Sequence, residues 1–283
     1  MHYTTLISTE ALAGSLADPS LVIVDCRHNL SDPDAGEAAY RSAHLPGAVF
    51  LHLDRDLSGT KTGHNGRHPL PDAAALVDTL GRVGIGSHTQ VVAYDQNAGM
   101  WASRLWWLLR WLGHERVAVL DGGLDKWLSE ARRVDANVFA PRPTRFEAKT
   151  PRATSPATAD EILQHLDDAT LTVLDARAPE RFRGDMEPID PVAGHIPGAL
   201  SRPYLGNLTA QGTFKSAQAL RHEFEAQLED RVPASVVHQC GSGVTACHNL
   251  LAMEVAGLHG SRLYPGSWSE WSSDGSRPIA RGG

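Results

Sequence analysis

One cysteine stands apart in this chain by its neighbours. In Val236-Val237-His238-Gln239-Cys240-Gly241-Ser242-Gly243-Val244-Thr245-Ala246-Cys247 a β-branched run stops at a cysteine and two glycines bracket a serine. An apolar pattern of helical spacing then begins at Val244, Ala246, Leu250, Leu251 and Met253. That order reads as strand, tight loop and helix, with Cys240 among the first loop residues. A thiol there faces N–H groups of the loop and first helical turn, which lack partners of their own and carry the positive end of the helix dipole. Such a setting favours the thiolate, the nucleophilic form of cysteine. Gly241 and Gly243 remove side chains that would keep the backbone from curling around an anionic sulfur. A free cysteine is more often a small buried hydrophobe. The Gly-x-Gly bracket at a strand-to-helix junction moves the reading to the chemical role.

The elements that must hold this loop occur twice. Leu21-Val22-Ile23-Val24-Asp25-Cys26-Arg27 is echoed by Leu171-Thr172-Val173-Leu174-Asp175-Ala176-Arg177, and His44-Leu45-Pro46-Gly47-Ala48 by His195-Ile196-Pro197-Gly198-Ala199. The run from Val91 to Gly99 is echoed by Ser235 to Gly243, and Asp121-Gly122-Gly123…Trp127 by Pro265-Gly266-Ser267…Trp271. Four matches in register indicate a duplication. Aligned through Gly99 and Gly243, Gln96 is the counterpart of Cys240, so one half is active and the other structural. Strands are expected at 21–25, 91–94, 117–120, 171–175, 235–239 and 262–264. Helices are expected at 73–83, 100–112, 159–166, 217–228 and 244–256. Alternation of this kind implies an α/β fold, each half a mostly parallel open sheet flanked by helices on both faces. Ligands of such sheets bind beyond the carboxyl ends of the strands, where Cys240 falls. The segment 133–157, with Pro141, Pro143, Pro151 and Pro156, reads as an extended linker between domains at 1–132 and 158–283. The Gly/Ser/Arg-rich tail 272–283 is expected to fray.

Composition narrows the function classes. A net charge of -7 and 42% hydrophobic residues describe a globular chain with no electrostatic case for nucleic acid or an anionic membrane. No apolar run is long enough to span a bilayer, and the N-terminus shows no signal-peptide pattern. Cys26, Cys240 and Cys247 do not make a disulfide framework, which points to the reducing cytoplasm.

The CGSGVTA loop, the paired His-(Leu/Ile)-Pro-Gly-Ala segments and the Gly-(Gly/Ser) followed by a late tryptophan in both halves resemble the tandem rhodanese-type sulfurtransferases. The resemblance covers essentially the whole chain and implies two rhodanese-like domains, inactive at 1–132 and catalytic at 158–283. It implies a Cys240 persulfide, formed from a small anionic sulfur donor and passed to a thiol such as thioredoxin or glutathione, or to cyanide, with no cofactor. Within the family the uncharged Gly241 and Ser242 look like the 3-mercaptopyruvate branch; thiosulfate-preferring members place basic side chains there. The resemblance further points to Arg181 in Glu180-Arg181-Phe182-Arg183-Gly184 as the substrate anchor, with Arg183 the weaker candidate. A guanidinium offers the fixed fork of donors a carboxylate or thiosulfonate needs. Gly241, Ser242, Gly243, Val244 and Thr245 form the substrate-binding loop. Ser242 suits a substrate carbonyl or leaving group, whereas ordinary loop capping is the plainer alternative for it and for Thr245.

Two positions depart from the mercaptopyruvate pattern. A second arginine normally precedes His-Ile-Pro-Gly, and Glu187-Pro188-Ile189-Asp190 offers none. An aspartate normally follows the first His-x-Pro-Gly-Ala, and here that position is His52, with Asp54 two residues on. In the family the loop carrying His68 approaches the active cysteine from the inactive domain, so His68 and His52 are its candidate contributors. His44, His195, Asp25 and Asp175 recur whether or not a thiol is present, which assigns them to structure. Cys247 reads as a core cysteine, and Trp101, Trp106, Trp107 and Trp111 as packing. The rivals are a thiosulfate:cyanide sulfurtransferase with the same persulfide, and a noncatalytic sulfur-carrier or scaffold protein. A cysteine phosphatase would need an arginine where Ala246 stands. The cysteines and histidines lack paired metal-ligand spacing.

Overall fold

The computed structural model describes residues 2–149, 155–166, 168 and 170–283. Two compact units cluster separately. The first comprises Met1–Gly59, Leu70–Arg152 and Thr209–Phe214; the second comprises Thr60–Pro69, Ala153–Leu208 and Lys215–Gly283.

In the first unit five strands, β1 (Leu6–Ile7), β2 (Leu21–Asp25), β3 (Val49–Phe50), β4 (Gln90–Tyr94) and β5 (Val117–Leu120), form one sheet in the order β1-β5-β4-β2-β3. Every pairing is parallel. Strand β4 is buried at all five residues, as a central strand covered on both faces must be. Its helices are α1 (Thr9–Ala13), α2 (Ala35–Ser42), α3 (Leu53–Asp56), α4 (Ala73–Arg82), α5 (Ala102–Trp111) and α6 (Gly123–Ser129). The tryptophans of α5 pack as expected: Trp106 and Trp107 are buried, and Trp107 stacks on Trp111 at 6.0 Å.

The second unit repeats the plan with β6 (Thr172–Asp175), β7 (Leu200–Ser201), β8 (Val236–Gln239) and β9 (Arg262–Leu263) in the order β7-β6-β8-β9, again all parallel. Its helices are α7 (Ala159–Gln164), α8 (Pro179–Arg183), α9 (Ala217–Leu228), α10 (Thr245–Val255) and α11 (Ser267–Trp271). Ile162, Val173, Ile196, Val237, Tyr264, Trp268 and Trp271 form part of one core cluster.

Both units use the same buried framework. Arg27 grips Asp25 and the Ala43 carbonyl, and Arg177 grips Asp175 and the Gly194 carbonyl, each with a 2.6 Å Nη2 contact to its aspartate. The imidazole of His44 meets the Tyr40 carbonyl through Nδ1, and that of His195 meets the Phe182 carbonyl. These contacts tie loops to sheets, the structural part given to the recurring residues.

Three expectations change. Most strand and helix spans shift by one or two residues at their ends, while 21–25, 117–120 and 217–228 coincide, and the two-residue strands β1, β3 and β7 and most of the one-turn helices carry too little periodicity to show in sequence. The tail does not fray: His195 and Ala280 pair as an antiparallel bridge, Gly282 N–H donates to the Arg183 carbonyl, and Trp271 Nε1 donates to the Pro278 carbonyl. Backbone pairing, which composition does not reveal, fixes it. Residues 150–154 of the expected linker lie outside the described residues. The part before them is irregular yet fastened to its own unit by Thr144 N–H to the Gly81 carbonyl, Lys149 N–H to the Leu112 carbonyl and burial of Phe146.

Candidate active site

Cys240 leaves the carboxyl end of β8 and is 2% exposed. Its N–H donates to Ser267 Oγ at 3.1 Å, and its carbonyl accepts from Trp268 N–H at 2.9 Å. The sulfur accepts from the Gly243 N–H at 3.2 Å. Gly243 has φ +75°, and a Cβ there would lie 2.3 Å from the Pro265 carbonyl oxygen, so the turn demands glycine. Ser267 holds φ +54° without being glycine, a strain repaid by its hydroxyl, which takes the Cys240 N–H and donates to the Tyr264 carbonyl.

Helix α10 begins without a side-chain cap. Helices α7 and α9 of the same unit have the Thr158 and Ser216 hydroxyls bonded to their first turns, but α10 has Val244 in that position. The N–H groups of Ser242, Val244 and Thr245 therefore carry no hydrogen bond among the described residues. Open donors at a helix start, beside a sulfur that already holds the Gly243 N–H, make a cradle for negative charge. Gly241, Ser242, Gly243 and Val244 are buried and Thr245 is half-buried.

The predicted anchor Arg181 lies beside this loop. A Cβ built on Gly241 would sit 3.6 Å from its Nη1 and 3.5 Å from its Nη2. Glu187 receives its Nε at 3.1 Å and its Nη2 at 2.6 Å, and Asp190 receives Nη2 at 3.2 Å. Glu187 and Asp190 thus fill the segment in which a second arginine was missed. Burial pushes both carboxyls up. At Asp190 burial wins and the pKa is raised; at Glu187 the Arg181 bonds and the Asp190 and Ile189 N–H groups win and it is lowered. Arg183 instead makes an exposed pair with Asp185.

The segment 66–68 clusters with this unit. Gly66, at φ +84°, comes so close to Gly266 that a Cβ would lie 2.7 Å from its carbonyl oxygen. Arg67 N–H then donates to Ser269 Oγ at 3.0 Å, and Ser269 N–H donates to the Gly241 carbonyl. Seated this way, His68 is 3% exposed with Nδ1 2.8 Å from Ser242 Oγ, and the Arg67 guanidinium binds Asp190. Sequence reading named His68 and missed Arg67. The signal in the chain was the absence of a second arginine from 187–190.

Other candidates serve structure. His52 belongs to the first unit and caps α3: Nδ1 accepts from the Asp54 and Arg55 N–H groups, and Nε2 faces the Pro33 carbonyl at 3.0 Å. With both ring nitrogens engaged there, the cluster His28, His52 and Asp54 is a hydrogen-bonded corner, although its ligand atoms lie within 4.8 Å of one another. Cys247 is fully buried, its Sγ 3.3 Å from the Gly243 carbonyl.

The first unit shows what stands where Cys240 does. Tyr94 pairs with Asp25 as Gln239 pairs with Asp175, so the sheet register makes Asp95, not Gln96, the counterpart of Cys240. The glycine-based alignment fails because this loop is one residue longer between the strand end and Gly99. The Asp95 carboxylate accepts from the N–H groups of Asn97, Gly99, Trp101 and Ala102 at 2.7–2.9 Å.

The Rhodanese-like domain model matches residues 8–130 and 158–274, and the chain belongs to that family. Among its relatives is the "Probable 3-mercaptopyruvate sulfurtransferase" of Pseudomonas aeruginosa, 45% identical over 284 residues and covering 100% of both chains. The thiosulfate sulfurtransferase of Bos taurus is 33% identical over 280 residues, covering 95% of this chain and 92% of its own. The crystal structure of SseA from Escherichia coli, a 3-mercaptopyruvate sulfotransferase, superimposes with a TM-score of 0.80 at 28% identity, covering 94% of this chain and 99% of its own.

Proposed function

We propose that the chain is a sulfurtransferase in which Cys240 carries the transferred sulfur as a persulfide, with a 3-mercaptopyruvate-type donor preferred. The observation that carries the reading is the Cys240 sulfur on the Gly243 N–H beside open N–H groups at the start of α10, with Arg181 alongside. The Cys240 thiolate attacks the donor's thiol sulfur, and a sulfur–sulfur bond forms as the carbon–sulfur bond breaks. The bonding pair leaves on carbon as the enolate of the 2-oxo acid, which takes the thiol proton to give pyruvate. The loop N–H groups hold the anionic outer sulfur, and such preorganised donors are worth about 3–4 kcal/mol each when removed. Ser242 and His68, hydrogen-bonded to each other, supply a hydroxyl and an imidazole through which that proton can move. An acceptor nucleophile, a thiolate or cyanide, then attacks the outer sulfur and returns Cys240 as thiolate; a small thiol, thioredoxin or cyanide all meet that requirement.

A monoanionic donor fits the charge of the site. Arg67, Arg177 and Arg181 stand against Asp175, Glu187 and Asp190, three against three, so the site offers directional donors rather than an excess of positive charge for a dianion such as thiosulfate. The three cysteines are free and buried, which suits a reducing, cytoplasmic setting. No helix among the described residues is long and apolar enough to cross a membrane.

The test compares kcat/KM for 3-mercaptopyruvate and thiosulfate on one preparation, with intact-protein mass before and after donor. Mercaptopyruvate is expected to be the better donor and to add the mass of one sulfur, which Cys240→Ser abolishes. A large preference for thiosulfate overturns the donor assignment, and sulfur loading that survives the substitution overturns the nucleophile.

A further inference from the structure

Two guanidiniums converge on the Cys240 loop where one was expected, and each is anchored by one edge while turning another toward Gly241. Arg67 gives Nη1 to Asp190 Oδ1; its Nε is buried and carries no hydrogen bond among the described residues. Its Nη2 lies over the loop, 2.7 Å from where a Gly241 Cβ would be. Arg181 gives Nε and Nη2 to Glu187 and Asp190, and its Nη1 faces the same point from 3.6 Å. Five directional donors on a guanidinium are costly to leave unmatched in a largely desolvated place, so this edge is built for an acceptor.

Asp190 shows which acceptor fits. Its two oxygens are shared, Oδ1 with Arg67 and Oδ2 with Arg181, so the spacing of the two side chains matches the bite of one carboxylate. A second carboxylate on the Gly241 side would lie next to the Cys240 sulfur. In a 2-oxo acid bearing a thiol on the third carbon, three bonds separate the carboxyl carbon from the sulfur, which suits an anchor one residue from the nucleophile.

We propose that Arg67 is a donor-binding, specificity-determining residue that grips, together with Arg181, the carboxylate of a thiol-bearing 2-oxo acid over Gly241. This deepens the proposed function and rests on Cys240 being the sulfur-carrying nucleophile. It also explains how a chain with Ile189 and Asp190 before His-Ile-Pro-Gly holds a carboxylate with two cations: the second comes from the segment 66–68, and Asp190 orients both.

The experiment uses Arg67→Met and Arg67→Lys in the full chain. Loss of one charge-assisted contact should raise KM for 3-mercaptopyruvate about 10- to 100-fold in Arg67→Met, with kcat within about threefold of wild type and partial recovery in Arg67→Lys. A readout independent of sulfur transfer is alkylation of Cys240 by iodoacetate against iodoacetamide: the rate ratio should fall severalfold in Arg67→Met, because only iodoacetate carries a carboxylate. An unchanged KM and ratio overturn the proposal. An equal rise in KM for thiosulfate overturns the carboxylate specificity, and an equal loss of kcat with every donor reduces Arg67 to a structural part. If wild-type Cys240 takes up no sulfur from any donor, the underlying reading fails, while the alkylation ratio still decides whether the clamp exists.

Discussion

The loops after β4 and β8 leave their sheets in the same register and turn into helices that lack a side-chain cap of their own, but they meet that shortage differently. In the first unit the Asp95 carboxylate folds back into the turn and takes four N–H groups, including those of Trp101 and Ala102 that open α5. In the second unit the loop is one residue shorter, and among the described residues the Cys240 sulfur takes only the Gly243 N–H. Copy for copy, the first loop is an anion cradle filled by its own chain and the second is one kept open for chemistry. The close carbonyl contact is common to both: Leu124 N–H meets the Asp95 carbonyl, and Trp268 N–H meets that of Cys240, each at 2.9 Å. Among the loop differences, the side chain after the strand, Asp95 against Cys240, and one residue of length decide which N–H groups are taken.

Converting the second loop toward the first perturbs the protein most. Cys240→Asp removes the nucleophile and should lower turnover by about a thousandfold or more. If the cradle binds anions generally, the new carboxylate will also capture the open N–H groups, and the variant should be about 1–2 kcal/mol more stable to denaturant than wild type at neutral pH. A variant that is inactive and less stable would mean that the shorter loop fits sulfur and not a carboxylate.

The first unit supplies the next largest effect. Asp95→Asn keeps the size of the side chain but turns an NH2 group toward N–H donors in a fully buried place. Burial raises the Asp95 pKa and the four N–H bonds pull it back, so the carboxylate and the cradle depend on each other. The substitution should cost about 3–5 kcal/mol of stability, read by denaturant unfolding, while donor binding in the second unit stays close to wild type. A loss under 1 kcal/mol would show that the cradle does not need its anion.

The sequence carried this contrast only in part. Periodicity placed the central strands and the long helices because buried parallel strands are continuous apolar runs and helices of three turns repeat their pattern. Cys240 and its glycines were legible because the turn's φ at Gly243 and the open helix start are local properties. The equivalence of Asp95 was not, because glycine matching skipped the extra residue that only the strand register reveals. Arg67 was hidden for a different reason: its position depends on Gly66 meeting Gly266 and on Ser269, contacts between residues about 200 apart in the chain. Nothing in the spacing of Arg67 and Asp190 announces that they meet.

The strands behind the two loops also differ at a residue that titrates on the acid side of neutrality, which makes the mildest test. Position 93 in β4 is alanine, and its counterpart in β8 is His238, fully buried, with Nε2 3.1 Å from the Met253 sulfur and Nδ1 without a partner among the described residues. Burial, with Arg202 adding repulsion, lowers its pKa from 6.5 to about 3. The folded state therefore keeps this imidazole neutral while the unfolded chain takes up a proton below pH 6.5. The stability tied to this residue is present above that pH and is lost as pH falls toward 3, by roughly 2–3 kcal/mol at about pH 4.5. His238→Gln removes the titration without emptying the site. Denaturant unfolding measured from pH 7 to about pH 4.5 should show a shallower fall for the second unit of the variant than for wild type. Parallel curves would mean that His238 already shares a proton in the folded state, and acid sensitivity would then arise from carboxylates whose pKa the fold lowers, Glu161, Glu187 and Glu223 among them.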